Sequence, residues 1–203
     1  MKNKRGKFIV FEGIDGSGKG TQVEKLRVYL EKNKIKTLAT CEHTRDLPVG
    51  KLIEDTLNGG EKIDSLALQI CFTADRRDHY KKIIEPALES GQFVISDRYY
   101  GSTVAYTQDN MKQTILDFNQ SVVSKADLTI FLDVDPEVAM KRIGKGRSNK
   151  TIFERKEILE NCRKSYLWFC GKLGHKVAVV DGNGDPNIVH LNILKILRSK
   201  KII

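Results

Sequence analysis

The stretch Gly13-Ile14-Asp15-Gly16-Ser17-Gly18-Lys19-Gly20-Thr21 carries the clearest chemistry in this chain. It lies between a short run of strand formers, Phe8-Ile9-Val10-Phe11, and a segment in which Val23, Leu26, Val28 and Leu30 recur at helical spacing. Glycines let a backbone wrap closely around phosphate oxygens, the helix N-terminus adds its dipole, and Lys19 supplies a mobile positive charge. The expected ligand is a nucleoside triphosphate. A Ser or Thr directly after the lysine would hold magnesium in such a loop; here Gly20 takes that place and the hydroxyl comes one residue later, at Thr21. Asp15 would repel phosphate unless it turned toward a hydrogen-bond donor, and a sugar hydroxyl is a good candidate. A glycine-rich turn with no ligand is the bland alternative. A dinucleotide site is disfavoured because the glycines do not follow G-x-G-x-x-G and Lys19 would have no role.

Further charged residues outline a second anion site. Asp97 and Arg98 follow the apolar run Phe93-Val94-Ile95-Ser96, and Arg45 sits in the polar stretch Glu42-His43-Thr44-Arg45-Asp46-Leu47-Pro48. Asp97 occupies the place where a carboxylate organises magnesium directly or through water; its alternative is a helix N-cap. The run from Lys141 to Lys150 packs Arg142, Arg147, three lysines and two glycines into a basic segment. It reads as a mobile lid, with a solvated basic loop as the alternative. Phosphoryl transfer depends on in-line positioning and on cations that neutralise the transferring group, which arginines in a closing lid would supply. Phe72 and Tyr106 read equally well as core aromatics, and His43 and His79 show no metal-ligand spacing.

The elements that must position these residues alternate in type. Strands are expected at Phe8–Phe11, Lys36–Cys41, Phe93–Ser96, Leu128–Asp133 and Lys176–Asp181, with a short helix over Val49–Leu57 and a helical region from Ile63 to Ser90 that Pro86 interrupts or restarts. A helix starts at Pro136, another closes the chain, and Gly101–Asp109 can be helical. The β, α, β, α order implies an α/β fold in three layers, with five parallel strands between helices on both faces. Ligands in such folds lie at the C-terminal ends of the strands.

At 203 residues the chain can bury one substantial core and needs no second domain. A formal net charge of +9 raises the question of nucleic acid, but the lysines are dispersed, so polyanionic small ligands account for it and no nucleic-acid partner is expected. Cys41, Cys71, Cys162 and Cys170 form no C-x-x-C pair, consistent with reduced thiols, and no run approaches membrane-spanning length. A cytoplasmic protein is expected.

The segments G-I-D-G-S-G-K-G-T-Q, T-R-D-L-P-V-G-K-L-I, F-T-A-D-R-R-D-H, D-R-Y-Y-G-S-T-V-A-Y, A-D-L-T-I-F-L-D and I-F-E-R, in this order, resemble the thymidylate kinase family of P-loop nucleoside monophosphate kinases. The resemblance covers nearly the whole chain. It implies a single-domain P-loop kinase fold over residues 1–203 with a lid at about 142–151, and transfer of the γ-phosphate of ATP to dTMP with Mg2+. It places Asp15 at the nucleoside 3′-hydroxyl, Arg45 and Arg98 at the monophosphate, Phe72 on the thymine face and Arg76 at its O4 edge. Ser102 and Thr103 would lie near the base and Tyr106 beside the sugar. The loop from Gly13 to Thr21 and Arg142 would hold ATP, Lys19, Asp97 and Arg98 would act in catalysis, and Thr21 and Asp97 would attend the metal. The phosphate loop carries no arginine, so the extra cation is expected from the lid, Arg147 first and Arg142 next. The family commonly forms homodimers. Departures are Gly20 after the lysine, Glu42-His43 in place of a Glu-Pro or Phe-Pro pair, and Lys150-Thr151-Ile152-Phe153-Glu154 in the lid. Another nucleotide kinase and a nucleotide-dependent switch are the competing readings; the chain lacks the N-K-x-D base signature of a switch.

Overall fold

The computed structural model describes residues 5–146 and 156–203. Five strands, β1 (Phe8–Glu12), β2 (Thr37–Cys41), β3 (Phe93–Asp97), β4 (Leu128–Asp133) and β5 (Val177–Asp181), form one parallel sheet in the order β2-β3-β1-β4-β5. The chain fills one side of β1 with β2 and β3 and then crosses it to add β4 and β5 on the other, so the crevice at the C-terminal end of β1 is the switch point where such sheets bind ligands. Strand limits agree with those read from the sequence to within one residue at each end. The central strands β1, β3 and β4 are buried along almost their whole length and mostly apolar because helices cover both faces.

The helices are α1 (Lys19–Lys32), α2 (Pro48–Leu57), α3 (Ser65–His79), α4 (Glu85–Glu89), α5 (Tyr100–Ala105), α6 (Lys112–Val122), α7 (Pro136–Gly146), α8 (Lys156–Leu173) and α9 (Pro186–Ser199). The expected helical region from Ile63 to Ser90 is α3 and α4 joined by a π-helical turn at Tyr80–Ile84, with Pro86 in the first turn of α4, where its missing N–H costs nothing. Carboxylate caps start two helices: Asp64 accepts from Leu66 and Ala67 N–H at α3, and Asp185 from Asn187 and Ile188 N–H at α9.

Strand alternation sorts the core into two layers. Ile9 and Phe11 face Val23, Leu26 and Leu30 of α1 and Ile193 and Leu197 of α9, whereas Phe8 and Val10 face the layer of α3 to α8, which includes Leu116, Leu159, Tyr166 and Phe169. Two features that matter for the site were not assigned from the sequence. One is α6, packed beside α3; the other is α8, whose buried face carries Leu159, Cys162, Tyr166 and Phe169.

Residues 141–146, expected to open a loop, instead continue α7, so Arg142 projects from a helix. Arg147 and the rest of the expected lid lie outside the described residues.

Candidate active site

The phosphate loop leaves β1 at Gly13 and enters α1 through Gly18, which takes left-handed torsions (φ 90°, ψ 17°) as the helix N-cap. Gly16, with φ 77°, is required twice over, since a Cβ there would stand 2.5 Å from the carbonyl oxygen of Ala139. Lys19 is buried and folds back to donate to the carbonyls of Gly13 (2.9 Å) and Ile14 (3.0 Å). Burial, then the positive charge of Arg98, push its ammonium down to about 8, against the pull of Asp97, Asp15 and Glu12.

Register brings the second charged pair alongside. Phe11 of β1 pairs with Asp97 of β3, and the Arg98 N–H donates to the Phe11 carbonyl at 2.8 Å. Arg98 adopts φ 71°, a left-handed conformation rare for a side-chain-bearing residue, and Ser96 Oγ donates to its carbonyl at 2.7 Å. The turn aims the guanidinium back over the phosphate loop. Nη2 donates to Asp15 Oδ1 at 2.5 Å, and Nη1 donates to Ser102 Oγ at 2.9 Å and Tyr166 OH at 3.3 Å. Tyr106 completes this group, its hydroxyl donating to Asp15 Oδ2 at 3.3 Å and its ring lying 5.9 Å from the Arg98 guanidinium carbon. Burial would raise the Asp15 carboxyl, but Arg98 and then Lys19 outweigh it and hold it below the usual range.

Asp97 has a buried Oδ1 with no hydrogen-bond partner among the described residues, and its Oδ2 lies 3.6 Å from where a Cβ of Gly20 would stand. Gly20, which stands where such a loop would place a hydroxyl, is therefore brought against this carboxylate. Thr21 lines a cavity of about 510 Å³ with Asp15, Gly16, Ser17, Gly18 and Gln22. Arg142 and Ile143 of α7 wall the far side, with Gly182, Gly184, Pro186 and Val189. Arg142 Nη2 donates to the carbonyls of Gly182 (2.9 Å) and Asn183 (3.0 Å), pinning α7 to the loop after β5. Gln22, which sequence reasoning passed over, donates from Nε2 to the Pro186 carbonyl at 2.9 Å and ties α1 to α9.

On the other flank, α3 presents Gln69, Phe72, Thr73 and Arg76, spaced so that they share one face. Arg76 is only 1% exposed: Nε donates to Glu42 Oε2 (2.6 Å), Nη1 to Asn119 Oδ1 (2.6 Å) and Nη2 to the Tyr99 carbonyl (3.2 Å). Removing this arginine would strand a buried Glu42, a loss of about 3–5 kcal/mol in comparable buried pairs. The Phe72 and His43 rings meet edge to face at 5.7 Å, and His43 bonds Glu54 of α2 at 2.7 Å, so His43 links the aromatic to α2. His79 likewise has a place, between Thr40 Oγ1 and Glu42. Thr103 is buried in α5, and its Oγ1 and the Oε1 of Gln69 have no hydrogen-bond partner among the described residues. Arg45 is exposed on the loop after β2, and its neighbour Thr44 anchors that loop by bonding Asp75 of α3 through both backbone N–H (2.8 Å) and hydroxyl (2.5 Å). The structure thus gathers Asp15, Lys19, Asp97, Arg98, Ser102 and Tyr106 at the end of β1, with Arg142 on the cavity side and Phe72 and Arg76 on the α3 side.

Comparison with known proteins agrees with this geometry. The thymidylate kinase family pattern matches residues 11–193. A probable thymidylate kinase of Methanosarcina acetivorans is 36% identical over 198 residues, covering 94% of this chain and 95% of that protein. One of Methanococcus aeolicus is 39% identical over 206 aligned residues, covering 97% and 98%. Among solved structures, the thymidylate kinase of Candida albicans superimposes with a TM-score of 0.83 at 25% identity, covering 98% of this chain and 93% of that one. The chain belongs to the thymidylate kinase family, kinases that convert dTMP to dTDP with ATP as phosphate donor.

Proposed function

We propose that the two flanks of the β1 crevice divide the reaction between them, the cavity beside α7 and α9 taking ATP and the cleft between α3 and α5 taking dTMP. The observation that carries this reading is the Arg98 guanidinium, held against Asp15 of the phosphate loop while its side chain comes from the turn that opens the α5 flank. Gly13 to Thr21 wrap the donor phosphates, Lys19 exchanges its loop carbonyls for phosphate oxygens, and Arg142 closes the wall of the donor site. Arg98 and Arg45 hold the acceptor phosphate, Asp15 accepts from the 3′-hydroxyl, and Tyr106 packs beside the sugar. Phe72 stacks on the thymine, Arg76 and Thr103 bond its polar edge, and Ser102 supports Arg98 from below. Arg147, outside the described residues, supplies the extra transition-state cation, since the phosphate loop has no arginine.

The unpaired Oδ1 of Asp97 beside the loop suits Mg2+, which takes one or two carboxylates and completes its shell with phosphate and water. Asp97 would hold the ion, with Thr21 reaching the phosphates on the cavity side; the metal supplies neutralisation of charge on the transferring group. A homodimer is supported by Ile70, Ile83 and Phe118, exposed on α3, the π turn and the adjacent α6. It requires a solution mass twice that of the chain, falling to one chain in Phe118→Glu. No helix among the described residues is long and apolar enough to cross a membrane, and four free thiols support a cytoplasmic location.

A coupled ADP-release assay with dTMP, dUMP, AMP, CMP and GMP tests the acceptor assignment. dTMP is expected to turn over fastest, and Arg147→Ala to lose roughly 10³-fold in kcat with KM values near wild type. Equal turnover of purine monophosphates, or an unchanged kcat in Arg147→Ala, contradicts the reading.

The lysine offers a pH test. A Lys19 ammonium pushed down to about 8 loses its proton in the free enzyme as pH rises through that value, while bound triphosphate favours the charged form. ATP affinity is therefore expected to fall as pH rises above about 8, with proton uptake on binding at about pH 8.5 and little at about pH 6.5. Calorimetry in two buffers of different ionisation enthalpy measures the uptake; identical heats at the higher pH would reject a role for Lys19 at the phosphates.

A further inference from the structure

Glu12, the last residue of β1, is fully buried one position before the phosphate loop and has no assigned part in the reaction. Its carboxylate accepts from the backbone N–H groups of Tyr99 (2.9 Å) and Ser102 (3.1 Å) at Oε1, and from Ser102 Oγ (2.7 Å) at Oε2. Tyr166 OH of α8 stands 3.2 Å from the same Oε2 and 2.8 Å from Ser102 Oγ, its one proton serving this pair of acceptors. Tyr166 is itself fully buried and stacked on Phe131 of β4 at 5.2 Å, so its hydroxyl is held in place by packing.

These bonds converge on Arg98. Ser102 Oγ and Tyr166 OH are the two side-chain oxygens that receive Arg98 Nη1, and Tyr99 N–H, held by Glu12, belongs to the residue that follows the left-handed turn. The approach is close. A Cβ on Gly101 would stand 2.7 Å from Glu12 Oε1, so only glycine lets α5 settle onto this carboxylate. Burial raises the Glu12 carboxyl above its ordinary range despite Ser102, Arg98 and Arg76, so ionising it here costs more than in water. Buried ionic groups are weak sources of net stability, and a well-packed apolar side chain would fill the space as well. What an apolar residue could not do is hold the first turn of α5 and two hydroxyls at fixed positions under a guanidinium.

We propose that Glu12 is a positioning residue for phosphoryl transfer: it sets the Arg98 guanidinium, through the Tyr99 and Ser102 backbone and the Ser102 and Tyr166 hydroxyls, without touching either substrate. The proposal rests on the reading of Arg98 as the group that meets the acceptor phosphate. It requires that loss of Glu12 be felt by the phosphate of the acceptor and not by its nucleoside part or by ATP.

Dissociation constants for dTMP, for thymidine and for ATP, measured by calorimetry on wild type, Glu12→Gln, Tyr166→Phe and Arg98→Lys, separate the possibilities. Glu12→Gln keeps the shape of the side chain but sets an amide donor among donors. It is expected to weaken dTMP binding roughly tenfold, the scale of one charge-assisted hydrogen bond, with thymidine and ATP within about twofold of wild type. Tyr166→Phe, which removes a single oxygen, is expected to move dTMP about threefold in the same direction and leave thymidine unchanged; it carries the test if Glu12→Gln does not fold. If Arg98→Lys binds dTMP as wild type does, the assignment of Arg98 to the phosphate fails. If Arg98→Lys weakens dTMP while the Glu12 and Tyr166 variants bind all three ligands normally, or weaken all three alike, the positioning role is overturned and Arg98 stands alone.

Discussion

The site depends on the register between β1 and β3. Phe11 lies opposite Asp97, and the Arg98 amide bonds the Phe11 carbonyl, so the chain leaving β3 must turn at the same height at which the chain leaving β1 begins its phosphate loop. A shift of one residue would turn Asp97 and Arg98 to the opposite faces. With this register, Asp15 and Glu12, which flank the start of the loop, reach Arg98 and the first turn of α5 from two sides. On the proposed reading the two substrates would meet where the two strand ends meet, and in-line alignment would then rest on backbone pairing.

Charge balance makes the crowding tolerable. Lys19, Arg98 and Arg76 are buried close to one another's fields, and Asp15, Asp97, Glu12 and Glu42 offset them. The balance is uneven, as the Lys19 ammonium pushed down to about 8 records: the loop carbonyls and the carboxylates of Asp97, Asp15 and Glu12 do not fully offset its desolvation and the charge of Arg98. Phosphate is the ligand that would. Arg76 differs, since each nitrogen of its guanidinium already donates once, to Glu42, Asn119 and the Tyr99 carbonyl, which makes it a structural tie between α3 and α6 as well as a candidate partner for a base.

The parts legible in the sequence were those with strong local signals. Glycines at fixed spacing before a lysine marked the loop, continuous apolar runs marked the strands, and the motif order carried the family. The supporting residues gave no such signal. Glu12 reads as one more carboxylate after a strand, and Tyr166 as an aromatic on the buried face of an amphipathic helix; their meaning arises only when β1, α5 and α8 are brought together. Ser102, expected near the base, sits beneath Arg98 because α5 begins at Tyr100, which turns position 102 toward β1 and leaves Thr103 on another side. In the sequence Arg142 belongs to a loop-like stretch, since Gly144 and Gly146 lower helical propensity, yet α7 runs on to Gly146, and the Arg142 contacts with Gly182 and Asn183 help hold it there.

The central claim is that Arg98 and Asp15 act as one unit joining the donor loop to the acceptor site. A double-mutant cycle tests it directly, using dTMP dissociation constants for Asp15→Asn, Arg98→Lys and the double variant. The account predicts that the double variant is weakened little more than the worse single variant, a coupling of about 1 kcal/mol or more. Strict additivity of the two single effects would show that the two residues act independently, and would contradict the account.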